Sequence, residues 1–306
     1  MDGIDQEIER MGLKSLNEFI MASIREFLII YGGINDINGR ERFHLWTYNT
    51  RSCCWRRYDS PIVRKPIFRT SMICAVGNLV YIIGGHCHPL DVYLPDAIVS
   101  FDITCETWKI VYRPNVNDDE NVQRPTYLSG LFHNDDCLYV LPIYDVHGFK
   151  EVIYKFCLKT SKWSKVPQSG QKPPFMTLYY GTVYKKQLYL FEWDKSDTSR
   201  FCKVKTFDLL SNVWTTKQIS VKNQQYPESG DFESFAFSNN IGYFVNGYDP
   251  CPVIREIEIW VIDLETLEWS KLDYTVAKGT FRNQLCVVDD SYLYSFGKFR
   301  LNNDET

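Results

Sequence analysis

Local signatures of catalysis are missing from this chain. It has no G-x-S-x-G nucleophile elbow, no G-x-x-x-x-G-K-[ST] phosphate loop, no H-E-x-x-H and no C-x-x-C pair. Its aliphatic stretches, Phe27–Tyr31 among the longest, fall far short of the roughly 20 apolar residues that span a bilayer as a helix. The acidic start MDGIDQEIER has no apolar h-region, and no Asn-X-Ser/Thr sequon occurs, so export is not expected. A net charge of −4 argues against general binding to nucleic acid or anionic membranes. Ten cysteines are present, but at no framework spacing. Those in strand-like runs (Cys74, Cys137, Cys157, Cys202 and Cys286) are therefore expected as buried, reduced thiols of a cytoplasmic or nuclear protein.

What the chain does have is repetition. A 17-residue block recurs without gaps at 17–33, 69–85, 127–143, 177–193, 231–247 and 282–298. Its Gly-Gly position falls at Gly32, Gly84, Pro142, Glu192, Asn246 and Gly297, in steps of 50 to 58 residues. A period this long means stacked supersecondary units. Each block reads as two short strands around a polar turn, such as Gly77-Asn78 or Asp289-Asp290-Ser291. Paired glycines suit a tight bend where a β-carbon would be crowded.

A third strand follows each of the first five blocks, and a fourth carries a tryptophan: Trp55, Trp108, Trp163, Trp214 and Trp269. Seven residues before each stands a large apolar residue, namely Tyr48, Phe101, Phe156, Phe207 or Ile262. Asn49, Asp102, Cys157, Asp208 or Asp263 comes next. One bulky side chain at a fixed phase per unit is what packing one sheet on its neighbour requires. With 306 residues, 44% apolar and 15% aromatic, the chain can bury a large core as one all-β domain.

These blocks resemble the kelch-repeat family, Gly32-Gly33…Tyr48…Trp55 and Gly84-Gly85…Phe101…Trp108 most cleanly. The resemblance covers roughly 17–306. It implies an all-β propeller of about six blades, each of four antiparallel strands, with the last blade incomplete in sequence order. Residues 1–16 form a separate N-terminal segment in which Ile4, Ile8 and Met11 sit at helical spacing before Gly12. Closed propellers often complete the last blade with an N-terminal strand. Whether 1–14 does so, or a thin blade or a truncated gene product results, is left open by the sequence.

Function is expected in the loops. Those between second and third strands (35–42, 86–96, 145–150, 194–200 and 248–255) differ in every unit, and they bring in His88 and Arg255. The blocks open on Asn17, Arg69, Tyr127, Thr177, Asp231 and Arg282, near the point where the family lines a partner-binding pocket. Arg69 and Arg282 would suit an acidic peptide motif through bidentate hydrogen bonds, or they pair structurally with Asp231 or loop acids. Trp193, where glycine is expected, is either an interface anchor or a packing substitute. The run from Arg51 to Arg69 is basic, and Asp118-Asp119-Glu120 is acidic; each reads first as a solvated face. His86-Cys87-His88 offers too few ligands for zinc, and no metal or other cofactor is expected.

The reading is thus a non-enzymatic, intracellular interaction module, with a metal- or small-molecule-dependent enzyme at the ring centre as the alternative. The resemblance allows a cullin-RING ubiquitin-ligase substrate receptor, or a cytoskeletal or trafficking scaffold. Residues 1–16 are too few for a BTB domain or F-box, so a ligase role would need another docking motif.

Overall fold

A computed structural model describes residues 13, 16–17, 19–35, 44–61, 71–83, 97–113, 127–144, 152–174, 179–192, 199–222, 225–230, 233–246, 257–276 and 280–299. Among the described residues the chain is all-β, apart from one 3-10 turn at Arg200–Cys202. Five antiparallel meanders follow one another. Each runs from an inner strand at the ring centre to an outer one that carries the tryptophan. The inner strands are Ile20–Ile24, Met72–Val76, Tyr127–Asn134, Tyr179–Tyr184 and Ser234–Ser238. A sixth sheet contains two described strands, Thr280–Val288 and Tyr292–Phe299. The architecture is a kelch-type propeller.

The seven-residue interval is the register of the outer hairpin. Tyr48 lies opposite Trp55, Phe101 opposite Trp108, Phe156 opposite Trp163, Phe207 opposite Trp214, and Ile262 opposite Trp269. The four ring pairs stand with centroids 4.9, 5.0, 5.1 and 4.8 Å apart. The next residue caps the turn. One side-chain oxygen of Asp208 accepts from the backbone N–H groups of Leu210 (2.9 Å) and Ser211 (2.7 Å). Asn49, Asp102 and Asp263 bond the same two positions ahead of them. Two residues before each tryptophan the backbone turns left-handed, at Cys53, Glu106, Ser161, Asn212 and Leu267. Gly32 and Gly33 also adopt positive φ (73° and 116°), as the bend after the second strand requires.

Two blades depart from four strands. Ser169–Gly170 runs parallel beside Val213–Trp214, and Ser220–Val221 beside Glu268–Trp269. Each connector leaving one blade thus adds a fifth strand to the outer edge of the next. The tryptophans beneath show the effect. Trp214 and Trp269 are 1% and 0% exposed, whereas Trp108 and Trp163 are only partly buried. Gln168 Oε1 accepts the Trp214 indole N–H at 2.7 Å, and the Phe201 carbonyl accepts that of Trp269 at 3.0 Å.

The ring closes through the two-stranded sixth sheet. Ser23 Oγ donates to the Val287 carbonyl (2.6 Å), the Asp289 N–H to the Arg25 carbonyl (3.0 Å), and the Leu285 N–H to Ser234 Oγ (2.8 Å). No N-terminal strand completes that sheet among the described residues. Leu16–Asn17 pairs instead with Ile34–Asn35 of the first unit. Leu13, Leu16 and Phe19 are buried with Trp55, Cys286 and Val288, and Phe19 meets Phe296 edge-on at 5.3 Å. Apolar side chains fill the seam where a third strand would pair. Ile4, Ile8, Met11 and Gly12 lie outside the described residues.

The thiols are more exposed than the strand reading expects. All eight described cysteines are free; Cys286 alone among them is buried, and Cys53, Cys54 and Cys105 are exposed. Cys53 and Cys105 sit in outer-hairpin turns, which face water, and Cys54 opens the outer strand that follows.

Candidate partner-binding face

The turn joining first and second strands and the turn joining third and fourth strands lie at the same end of every blade, because each blade is an antiparallel meander. This end is tied together by side chains. Arg25 donates to Asn78 Oδ1 (2.5 Å), Lys185 pairs with Glu265 (2.5 Å), Ser238 donates to Asp290 (2.6 Å), and Arg51 reaches Asp289 (3.4 Å). Arg56 pairs with Glu106, and Lys186 lies 3.8 Å from Asp135. Arg51 and Arg56, members of the basic run, are thus engaged with neighbouring units. Such exposed pairs stabilise little individually, but they mark this face as structural.

The opposite end carries the second-to-third-strand loops and the connectors between blades. Its described part centres on Arg200. The guanidinium donates to Ser229 Oγ (2.8 Å from Nη2), to the Glu192 carbonyl (3.2 Å) and to the Glu233 carboxylate. The Arg200 and Glu233 side chains are 1% and 0% exposed. The Gly230 N–H adds a bond to the same carboxylate at 2.8 Å, and Tyr180 donates to the Glu233 carbonyl at 2.8 Å. Glu233 Oε1 takes the bonds from both Arg200 and Gly230, while its buried Oε2 has no hydrogen-bond partner among the described residues. The pair clamps a loop of the fourth unit to the lead-in of the fifth, so this part of the face is rigid. Sequence reasoning missed Arg200. Its one available signal was Glu233, an acid at a block position held by buried Phe19, Ser71, Ser129 and Tyr179 in the first four units.

Between the two ends runs an axial cavity of about 400 Å³. One triplet from each inner strand lines it: 21–23, 73–75, 131–133, 181–183, 235–237 and 285–287. The first five are positions five to seven of the block. The sixth is displaced by one, because Asp289-Asp290-Ser291 makes a three-residue turn where the other units use two. Its ionisable lining residues are Cys74, His133 and Cys286. Burial pushes the Cys74 thiol up to about 12 and that of Cys286 to about 11, so both stay protonated and poorly nucleophilic. Burial also holds His133 below the usual histidine range. Neither a carboxylate nor a tyrosine lines the cavity. Among the described residues no three of His, Cys, Asp and Glu converge to hold a metal ion. None of their helices is long and apolar enough to cross a membrane.

Six strands around an axis, each opening one repeat, are the geometry of a kelch ring. A family model described as the KLHDC2/KLHL20/DRC7 Kelch-repeats domain matches residues 17–191 and 135–305. The chain belongs to the kelch-repeat family. No curated protein matches it.

In this kelch propeller, Arg69, His88, Trp193, Asp231 and Arg255 lie outside the described residues, as does the His86-Cys87-His88 cluster. Tyr127 and Arg282 are placed by their backbone. Tyr127 opens its inner strand opposite Tyr144, at the end away from the turns. Arg282 falls within a bulge between Phe281 and Gln284. Together with the longer turn, the bulge shifts Arg282 from the register that block counting gives it relative to the described inner strands. A single inserted residue is enough to change the face on which a strand position lies.

Proposed function

We propose that this kelch propeller is a non-enzymatic interaction module that grips a protein partner with the loops on its Arg200 face. The carrying observation is the division of labour between the two ends. The turn end is occupied by pairs that join units, while the loops at the other end differ in every unit and meet a frame tied by the Arg200–Glu233 pair. The cavity lining supports a binding role over an active site, because its thiols stay protonated and neither a carboxylate nor a tyrosine lines it.

The partner chemistry proposed is an acidic peptide motif, held by Arg69 and Arg282 with Tyr127, Asp231, Trp193, Arg255 and His88 around it. Service to a cullin-RING ligase or to the cytoskeleton would follow from what the partner is. The test is fluorescence polarisation against a library of acidic peptides, with Asp/Glu→Asn/Gln versions as controls. We expect selective binding of the acidic set, weakened about tenfold or more by Arg69→Ala and, separately, by Arg282→Ala, since a charge-assisted bond contributes about 1.5–3 kcal/mol. Unchanged affinity in both variants removes the arginines from the site. Stoichiometric copper or zinc in the purified protein would favour the enzyme reading instead.

A further inference from the structure

The third blade breaks a rule that the other four keep. Where Asn49, Asp102, Asp208 and Asp263 cap the outer turn, it has Cys157. The turn itself is unchanged. The Ser161 N–H bonds the Cys157 carbonyl at 2.8 Å, as Asn212 bonds Asp208 and Leu267 bonds Asp263 at 2.8 Å. The backbone N–H groups of Lys159 and Thr160 point at the Cys157 sulfur, joined by the Thr160 hydroxyl. A donor nest that elsewhere receives an anionic or amide oxygen here receives sulfur, and these bonds hold its thiol below the usual cysteine range.

The second break lies directly across the sheet. Cys137 on the second strand is paired with Cys157 on the third. The other blades have Phe27, Leu79, Gln187 and Ile241 at that place. The Leu158 N–H donates to the Asp136 carbonyl at 2.9 Å, the bond that flanks a non-hydrogen-bonded pair. Such pairs bring their Cα atoms to about 4.5 Å with both side chains on one face. That separation lies inside the range of roughly 4.4–6.8 Å that a disulfide spans. The two side chains already hydrogen-bond each other, and both thiols are free and partly exposed.

We propose that Cys137 and Cys157 are a redox-responsive dithiol that hydrogen peroxide closes into a cross-strand disulfide. The Cys157 thiolate attacks one peroxide oxygen; the O–O bond breaks, hydroxide leaves, and it takes up the thiol's proton as water. Cys157 is then a sulfenic acid, oxidised by two electrons. Cys137 gives up its proton and attacks that sulfur, the S–O bond breaks, and a second water leaves as the S–S bond forms. Two thiols and one peroxide thus yield one disulfide and two waters. Closure draws the Cys157 sulfur out of its nest, so the turn at 158–161 rearranges on the face that bears Asp136 and Lys159.

The full chain is treated with hydrogen peroxide, quenched with an alkylating agent, digested and analysed by mass spectrometry. The expected product is a peptide linking Cys137 to Cys157. At limiting alkylating agent and neutral pH, Cys157 is labelled several-fold faster than exposed Cys53, Cys54 and Cys105. Cys137→Ser should leave a dimedone-reactive sulfenic acid on Cys157. Cys157→Asp restores the cap found in the sister blades, so it should fold with unchanged thermal stability and give no linked peptide. Oxidation of Cys53, Cys54 and Cys105 with Cys137 and Cys157 both left reduced would overturn the proposal. So would Cys157 labelling no faster than those three.

Discussion

Five outer hairpins turn on one side chain each, and its chemistry sets how each turn answers acid. The Thr104 N–H chiefly holds the Asp102 carboxyl below the usual range, and the Ser211 N–H does so for Asp208. A carboxyl depressed in the folded state stabilises it fully above the unfolded value of about 3.9. That stabilisation disappears as pH falls through the folded value. The melting temperature should therefore drop as pH is lowered from about 5 to about 3. Asp102→Asn with Asp208→Asn should flatten that slope, because the amide oxygen accepts the same bonds without titrating, as Asn49 does. Equal slopes for the two proteins would show that these turns do not report acid stability. The caps at Asn49, Asp102, Asp208 and Asp263 were visible in sequence as a repeated phase; their two-bond geometry was not.

At the scale of the element, the fifth strands cover Trp214 and Trp269, as Leu13, Leu16 and Phe19 pack with Trp55 in the first blade. Ser169–Gly170 reaches its place only because Gly170 has φ of 82° and no side chain. A β-carbon there would come within 2.3 Å of the Trp214 carbonyl oxygen. Gly170→Ala is expected to cost about 1–3 kcal/mol, through a left-handed backbone and a contact that must open. Urea titration measures the loss, and Trp214 emission should shift to the red as the strand lifts. A neutral substitution would mean that the connector does not hold the indole. Nothing in the local pattern of 167–172 marked a strand, because two residues are too short to show alternation and the parallel partner is 44 residues away in sequence.

At the scale of the whole molecule, the described residues close the ring by side-chain packing and hydrogen bonds between the sixth sheet and its neighbours. Phe19 is 4% exposed and seals the sixth sheet against the first blade. Phe19→Ala should destabilise by about 3–5 kcal/mol, the usual cost of removing a buried aromatic. Loss of the seam should also weaken the whole ring in one transition, since every unit leans on two neighbours. A change below about 1 kcal/mol, of the kind surface sites give, would place Phe19 outside the closure.

The sequence alone determined the number of units, their strands and the pairing of a large apolar residue with tryptophan inside each outer hairpin, because these depend on period and alternation along the chain. Tertiary structure decided what distant segments do to one another: the fifth strands, the Arg200–Glu233 clamp, the seam at Phe19 and the place of Arg282. A single extra residue in the turn at 289–291 and another in the bulge at 282–283 shifted that last unit's register, and counting along an ungapped repeat has no means of sensing either. Cys137 and Cys157 belong to both levels. Each was plain as a residue, and only strand pairing set them face to face.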